Sequence, residues 1–298
     1  MKTVIIIAGP TAAGKTAKAI EVAQHFDTAV ISADSRQCYR EISIGTAKPS
    51  PQELQTVPHY FINSHSIREE VNAGVYERLA LDYAAEVWKD RDVVVMCGGT
   101  GLYIKAFCEG IDNIPAAPAD VRSAIQERYE KDGMAWLQQE VQEKDPAFYA
   151  VAETQNPHRL MRALEVLYAT GQSITNFRTG NVVQRDFNII KTAITLPKEQ
   201  LHANIERRVH QMVADGLLEE VRAVLPYRDH NALQTVGYKE VFDHLDGKLT
   251  WNEAVEQIII HTRQYAKRQL TWFRKDKDFK WFEAGKGLIE ELDQQLRT

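Results

Sequence analysis

Gly9-Pro10-Thr11-Ala12-Ala13-Gly14-Lys15-Thr16 brings two glycines, a lysine and a hydroxyl together at the spacing of a Walker A phosphate loop. Glycines let successive backbone N–H groups converge on phosphate oxygens at a helix N-terminus, Lys15 neutralises charge, and Thr16 is suited to hold Mg²⁺. All eight residues are read as phosphate-binding, with Thr16 as the metal ligand. The usual second piece of such a site is an acidic residue ending a later strand, and it is missing at Met96-Cys97-Gly98-Gly99-Thr100. No Asn-Lys-x-Asp sequence occurs, which argues against a GTPase. The loop therefore suits a diphosphate whose chemistry is not ATP hydrolysis, while nucleotide binding, ATP included, stays open.

Asp34 is the nearest acidic alternative, just past a second strand signal in Ile31-Ser32-Ala33-Asp34-Ser35-Arg36-Gln37. It is read either as a base or magnesium ligand, or as an Asx-turn residue closing the strand. Arg208 falls on one helical stripe with Leu201, Ile205 and Met212. A guanidinium cannot shed its proton, so burial there demands a carboxylate or a phosphate, and both a diphosphate and a structural salt bridge satisfy it. Arg263, Lys267 and Arg274 share one face of a helix whose other side carries Ile259, Ala266 and Phe273. That row reads as a phosphate track or as a solvated face; Arg162, likewise, faces either RNA or Glu165 three residues on.

The elements that must position these residues alternate. Residues 4–8 form a continuous apolar run, then come the glycine loop and a helix carrying Ala19, Ile20 and Ala23. Strand signals recur at 29–32, 93–97 and 188–196, with helical spacing at 75–88, 198–214 and 254–272. Residues 114–118 read as a linker, and 119–170 as helical with no strand. The expected fold class is α/β: a P-loop NTPase-like doubly wound parallel sheet with an inserted all-helical lobe. Residues 1–114 and 186–298 are assigned to the catalytic core and 115–185 to the lobe. With 298 residues, 44% hydrophobic and 26% charged, the chain is neither disordered nor fibrous nor membrane-spanning in composition. Cys38, Cys97 and Cys108 form no framework or zinc cage and suggest a reducing compartment. The short 4–8 run is no export signal or membrane span, so a cytoplasmic protein is expected. A net charge of −5 argues against non-specific wrapping of nucleic acid, but 36 Lys and Arg can still gather locally.

Taken in order, these words resemble the bacterial-type tRNA dimethylallyltransferases over nearly the whole chain. The likeness rests on the phosphate loop, on 31–37 with Tyr39, on Gly45-Thr46-Ala47-Lys48-Pro49, on Gly98-Gly99-Thr100-Gly101-Leu102-Tyr103, on 159–165 before Thr170-Gly171, on Val236-Gly237-Tyr238-Lys239-Glu240, and on 262–269 with Trp272. The resemblance implies transfer of a dimethylallyl group from dimethylallyl diphosphate to N6 of adenine 37 beside the tRNA anticodon, with Mg²⁺ as cofactor. Carried over by position, Lys15, Thr16 and Arg208 bind diphosphate, Asp34 is the base and Thr100 a catalytic hydroxyl, making Asp34, Thr100 and Arg208 the catalytic set. Contacts to tRNA are implied at Asp34, Ser35, Arg36, Gln37, Thr100, Arg122, Gln155, Asn156, Pro157, His158 and Arg159, and the helical row adds Arg263 and Lys267. One departure is Asn156, where many members carry aspartate before the proline. The partners expected are the anticodon stem-loop and dimethylallyl diphosphate, with no membrane, no protein partner and a monomeric state. The alternative is a nucleoside or small-metabolite kinase, although a lobe of some fifty residues is longer than a kinase lid. A non-catalytic tRNA-binding module is a third reading.

Overall fold

The structure is a computed structural model that describes residues 1–297. Its centre is a six-stranded, wholly parallel sheet of β1 Thr3–Ala8, β2 Val30–Ser32, β3 His59–Tyr60, β4 Val93–Cys97, β5 Asn188–Thr195 and β6 Lys280–Glu283, in the order β3-β2-β4-β1-β5-β6. β1 lies between β4 and β5, with Ile6 opposite Met96 on one side and Lys191 on the other. A parallel strand in that place is covered on both faces, which is why its apolar run is unbroken. Successive side chains then serve opposite layers. Val4, Ile6 and Ala8 pack with Tyr76, Ala80 and Phe107 from the helices Ala73–Val87 and Gly101–Glu109. Ile5 and Ile7 pack with Ala19, Val22 and Ala23 of Lys15–His25 and with Leu201 and Ile205 of Lys198–Ala214. The carboxyl ends of β1, β2 and β4 consequently open side by side.

The strand signals at 4–8, 29–32, 93–97 and 188–196 each fall on an observed strand, within a residue at either end. The edge strands β3 and β6 have no counterpart among those expectations, nor do the helices Leu217–Val224, Tyr238–Leu245 and Leu288–Arg297. Two residues of β3 and four of β6 are too few for a periodicity to emerge. The last long helix, Trp251–Lys275, exceeds the expected 254–272 because Thr250 and Glu253 form a capping box at its start.

Residues Gly110–Val183 form a second compact unit, separate from Met1–Glu109 and the chain from Gln184 onward. This is the region where the sequence suggests a lobe at 115–185. It is built of the helices Ala119–Lys144, Pro146–Tyr149 and Pro157–Thr170, around Ile125, Leu137, Val141, Phe148, Leu160 and Leu164. The first of these is interrupted at Gly133. Pro157 opens the third helix and Gly171 closes it. Among the described residues no helix is long and apolar enough to cross a membrane.

Gly9 ends β1 at φ 137°, and a side-chain carbon there would overlap the carbonyl oxygen of Ile194 on β5. Gly9→Ala combines backbone strain with a clash against a rigid strand, and is expected to destabilise the protein by about 2–4 kcal/mol. Guanidinium denaturation measures this; an unchanged midpoint would mean that the loop is not pinned to β5.

Candidate active site

The loop between β1 and Lys15–His25 is shaped by its own backbone and held from two sides. Ala12 takes a left-handed conformation, φ 63°, and its carbonyl accepts a hydrogen bond from Asn204 Nδ2 at 3.2 Å. The Thr11 N–H donates to Gln269 Oε1 at 2.8 Å. Lys15 curls back so that Nζ donates to the Pro10 carbonyl at 2.7 Å, the loop closing on itself. Gly14 caps the helix with no side-chain acceptor, so the amides of its first turn face outward and suit an anion.

The missing strand-end acid has a structural cause. A side-chain carbon at Gly98 would run into the backbone of Ala33, because the ends of β2 and β4 lie main chain against main chain. The Ala33 N–H donates to the Cys97 carbonyl at 2.7 Å, the Thr100 N–H donates to the Ala33 carbonyl at 3.1 Å, and the Ser35 N–H donates to Thr100 Oγ1 at 3.0 Å. These bonds present Asp34 and Thr100 together, one strand over from the usual position of the acid. Both alternatives for Asp34 are met by the same side chain: Oδ1 accepts from the N–H groups of Arg36, at 2.9 Å, and Gln37, at 3.4 Å, as in an Asx turn. Oδ2 has no such donor among the described residues.

Two cavities meet here. One, of about 1160 Å³, is lined by the phosphate loop with Lys15 and Thr16, by Lys48, and by Arg207 and Arg208. The other, of about 350 Å³, is lined by Asp34, Arg36, Tyr265 and Arg268, with Ile205, Val209 and Ile258 as apolar wall. Arg208 and Met212, one turn apart on Lys198–Ala214, line both. The helical stripe is as expected, with Leu201 and Ile205 buried and Arg208 half-buried. The salt bridge offered as an alternative for Arg208 is absent among the described residues. Burial bears against its charge, and the Asp34 carboxylate offsets that. Burial likewise drives the Lys15 ammonium down to about 8, with Arg208 adding to the effect and Asp34 opposing it. Two cations thus line one cavity with the Asp34 carboxylate opposing the effect of burial on each, an arrangement that an anion relieves.

Of the other expected site residues, Ser35 and Arg36 lie in the smaller cavity, and Arg36 donates to Asn231 Oδ1 at 3.3 Å. The Gln37 amide is occupied internally, donating to the carbonyls of Thr46 and Ala47 and accepting from Ser32 Oγ. Arg263 pairs with Glu206 at 3.1 Å, whereas Lys267 is exposed. Arg122 and Gln155, Asn156, Pro157, His158 and Arg159 belong to the second unit. There Asn156 caps the helix by accepting from the Arg159 N–H at 3.3 Å, a bond an aspartate would also make. The Arg159 side chain pairs with Glu153, and Arg162 pairs with Glu165.

Three residues that carry the geometry were not singled out by type or spacing. Gln269 touches both glycine turns. Tyr265 shares a hydrogen bond with Thr100, and burial pushes its phenol up to about 12, Asp34 adding to the shift. Glu220 accepts the successive N–H groups of Ser43, Ile44 and Gly45 at 2.7–2.9 Å and the Tyr238 hydroxyl at 2.6 Å, pinning the 43–48 wall of the larger cavity. Tyr265 and Gln269 fall within the word 262–269 that resembles a family, whereas Glu220 lies outside every such word.

Fold and site define a parallel α/β protein of P-loop type with no acidic residue at the end of β4 and one, Asp34, at the end of the neighbouring β2. The family model described as IPP transferase matches residues 37–276. The tRNA dimethylallyltransferase of Cytophaga hutchinsonii is 46% identical over 95% of this chain and 93% of its own length. A solved tRNA isopentenylpyrophosphate transferase from Bacillus halodurans superposes with a TM-score of 0.72 at 32% identity, covering 100% of this chain and 96% of that one. A eukaryotic dimethylallyltransferase, described as acting on tRNA, superposes at 0.76 with 25% identity, over 95% of this chain and 74% of that one. The chain belongs to the IPP transferase family.

The Lys15 ammonium sets a pH dependence for anion binding. Below about 8 it is charged in the empty site, and a bound diphosphate holds the proton on. Binding above that value must take up a proton, so affinity falls as pH rises, by up to about tenfold per unit. Lys48 in the same cavity is lowered to about 8 by burial and acts in the same direction. Calorimetric titration with inorganic diphosphate at pH 7 and pH 9 should show the loss; equal affinities would remove Lys15 from the anion site.

Proposed function

We propose that this chain transfers the dimethylallyl group of dimethylallyl diphosphate to N6 of adenine 37 in tRNA, giving N6-dimethylallyladenosine and diphosphate. The observation that carries the reading is the sharing of Arg208 between a cavity floored by a phosphate loop and a cavity lined by Asp34 and by Ser35, whose N–H donates to Thr100. Family membership favours it over a kinase or a non-catalytic binding module.

The diphosphate lies on the loop amides with Lys15 and Arg208, and the allyl group points past Arg208 toward Asp34. As the C1–O bond breaks, negative charge grows on diphosphate where those cations and amides stabilise it. The N6–C1 bond forms while the N6 proton passes to Asp34 Oδ2, which offsets the poor nucleophilicity of an amine conjugated with its ring. Thr100 holds the amine in line. Adenine must leave its stack to arrive there. Among the described residues no cluster of three or more His, Cys, Asp or Glu offers a metal cage. The oxygen on hand in the phosphate cavity is the Thr16 hydroxyl, which fits Mg²⁺, an ion that keeps water and takes phosphate oxygens as its main ligands. Such an ion would neutralise the leaving diphosphate.

Ser35, Arg36, Gln37, Arg263 and Lys267 on the core, and Arg122 with Gln155 to Arg159 on the unit Gly110–Val183, are proposed to hold the anticodon stem-loop. The unit Gly110–Val183 is the proposed tRNA-gripping lobe. The working protein is proposed to be a cytoplasmic monomer.

The decisive experiment is nucleoside mass analysis of unmodified tRNA incubated with the protein and dimethylallyl diphosphate. N6-dimethylallyladenosine is expected; transfer of a γ-phosphoryl group without alkylation would overturn the reading. Asp34→Asn keeps the Asx turn but removes the proton acceptor, and should lower transfer by a factor on the order of 10² to 10⁴ with tRNA affinity within a few-fold. Unchanged turnover would take the role of base away from Asp34.

A further inference from the structure

Gln269 lies in the last third of Trp251–Lys275 and is buried, yet its side chain is wholly polar at the tip. Its two ends bind different loops. Oε1 accepts the Thr11 N–H of the phosphate loop at 2.8 Å, and Nε2 donates to the Gly99 carbonyl at 3.0 Å, one residue before Thr100. A donor on one side and an acceptor on the other leave only one orientation for the amide. The contact is close enough that a side-chain carbon at Gly99 would collide with Nε2. One turn earlier the same helix presents Tyr265, which bonds Thr100 directly. A single helix therefore touches the loop that faces the leaving group and the turn that faces the acceptor.

We propose that Gln269 is a positioning residue that holds the phosphate loop and the Thr100 turn in register, so that the diphosphate and the attacking nitrogen stand in line. This rests on the transfer reading above. The Thr11 N–H is spent on Gln269 and is not a phosphate donor, so breaking the clamp leaves the anion contacts in place and alters their distance from Asp34 and Thr100. Misplacement of about 1 Å between reacting groups lowers rates by about 10²-fold with little effect on binding. A residue that only filled the core would instead change stability and leave the rate per folded molecule unaltered.

The test breaks the clamp from each side. Gln269→Glu keeps an acceptor for Thr11 and sets a carboxylate oxygen against the Gly99 carbonyl; Gly99→Ala pushes the amide tip away while leaving Gln269 in place. Single-turnover transfer to an anticodon stem-loop is measured beside separate binding constants for dimethylallyl diphosphate and RNA. Each variant should lose about 10–100-fold in rate with both binding constants within about threefold, and the double variant should be no slower than the worse single one. Rates equal to wild type per folded molecule, multiplying losses in the double variant, or failure of both variants to fold would each overturn the role, the last making Gln269 a residue of the fold alone. A wild-type protein that transfers nothing would instead sink the function itself, so the two failures are told apart.

Discussion

Two partly buried cations, Lys15 and Arg208, share the single carboxylate of Asp34, and the rest of the site follows from that imbalance. Neither cation is neutralised by a protein salt bridge among the described residues, and Lys15 is left to its own loop carbonyl. Such a site is incomplete by design: burial disfavours both charges, and the group that restores the balance must bring at least one negative charge of its own. The phosphate loop amides, the opening helix and the cavity that Arg208 lines all face the place where that group would lie. Because Arg208 also walls the smaller cavity, the charge proposed to bind the leaving group stands next to the carboxylate proposed to take the proton.

That juxtaposition depends on how closely β2 and β4 approach. Gly98 has no room for a side chain, and the Asp34 turn is stitched to the Gly98-Gly99-Thr100 turn by backbone bonds through Ala33 on one side and by the Ser35 N–H to the Thr100 hydroxyl on the other. An acid at the end of β4 would have to stand where Ala33 now packs. Moving it to the end of β2 changes what it can reach: it no longer lines the phosphate cavity but borders the smaller one, beside Thr100 and Tyr265. The consequence is a phosphate loop without the partner that phosphoryl transfer uses, and a carboxylate with one oxygen free for another substrate.

Much of this is legible in the sequence because the informative signals are local. An unbroken apolar run marks a strand covered on both faces, as β1 and β4 are, and a glycine loop between strand and helix marks its own conformation. The stripe through Leu201, Ile205 and Arg208 follows from helical spacing alone. The reading of Asp34 divided base from turn residue, whereas the carboxylate has two oxygens and the structure gives one of them to the turn. What stayed hidden is long-range. Gln269 reaches Thr11 across 258 positions and Glu220 reaches Ser43 across 177, and nothing in either residue's neighbours announces a partner so distant. The Arg263 and Lys267 row was ambiguous for the same reason, since Glu206, which pairs with Arg263, comes from another helix.

The contrast with a kinase is then one of what moves. A phosphoryl group travels away from a bound nucleotide, so the acid and metal must embrace the phosphate that departs. In an allylic diphosphate the phosphates stay and the carbon leaves, so the grip belongs entirely on one side of the breaking bond and the proton acceptor on the other. A protein built for the second task should hold its cations behind the scissile oxygen, set its carboxylate across a gap with an apolar wall, and brace the two halves against each other rather than against a shared ion. Lys15 and Arg208 at the phosphate loop, Asp34 beside Ile205, Val209 and Ile258, and the helix bearing Gln269 and Tyr265 meet those three demands in turn.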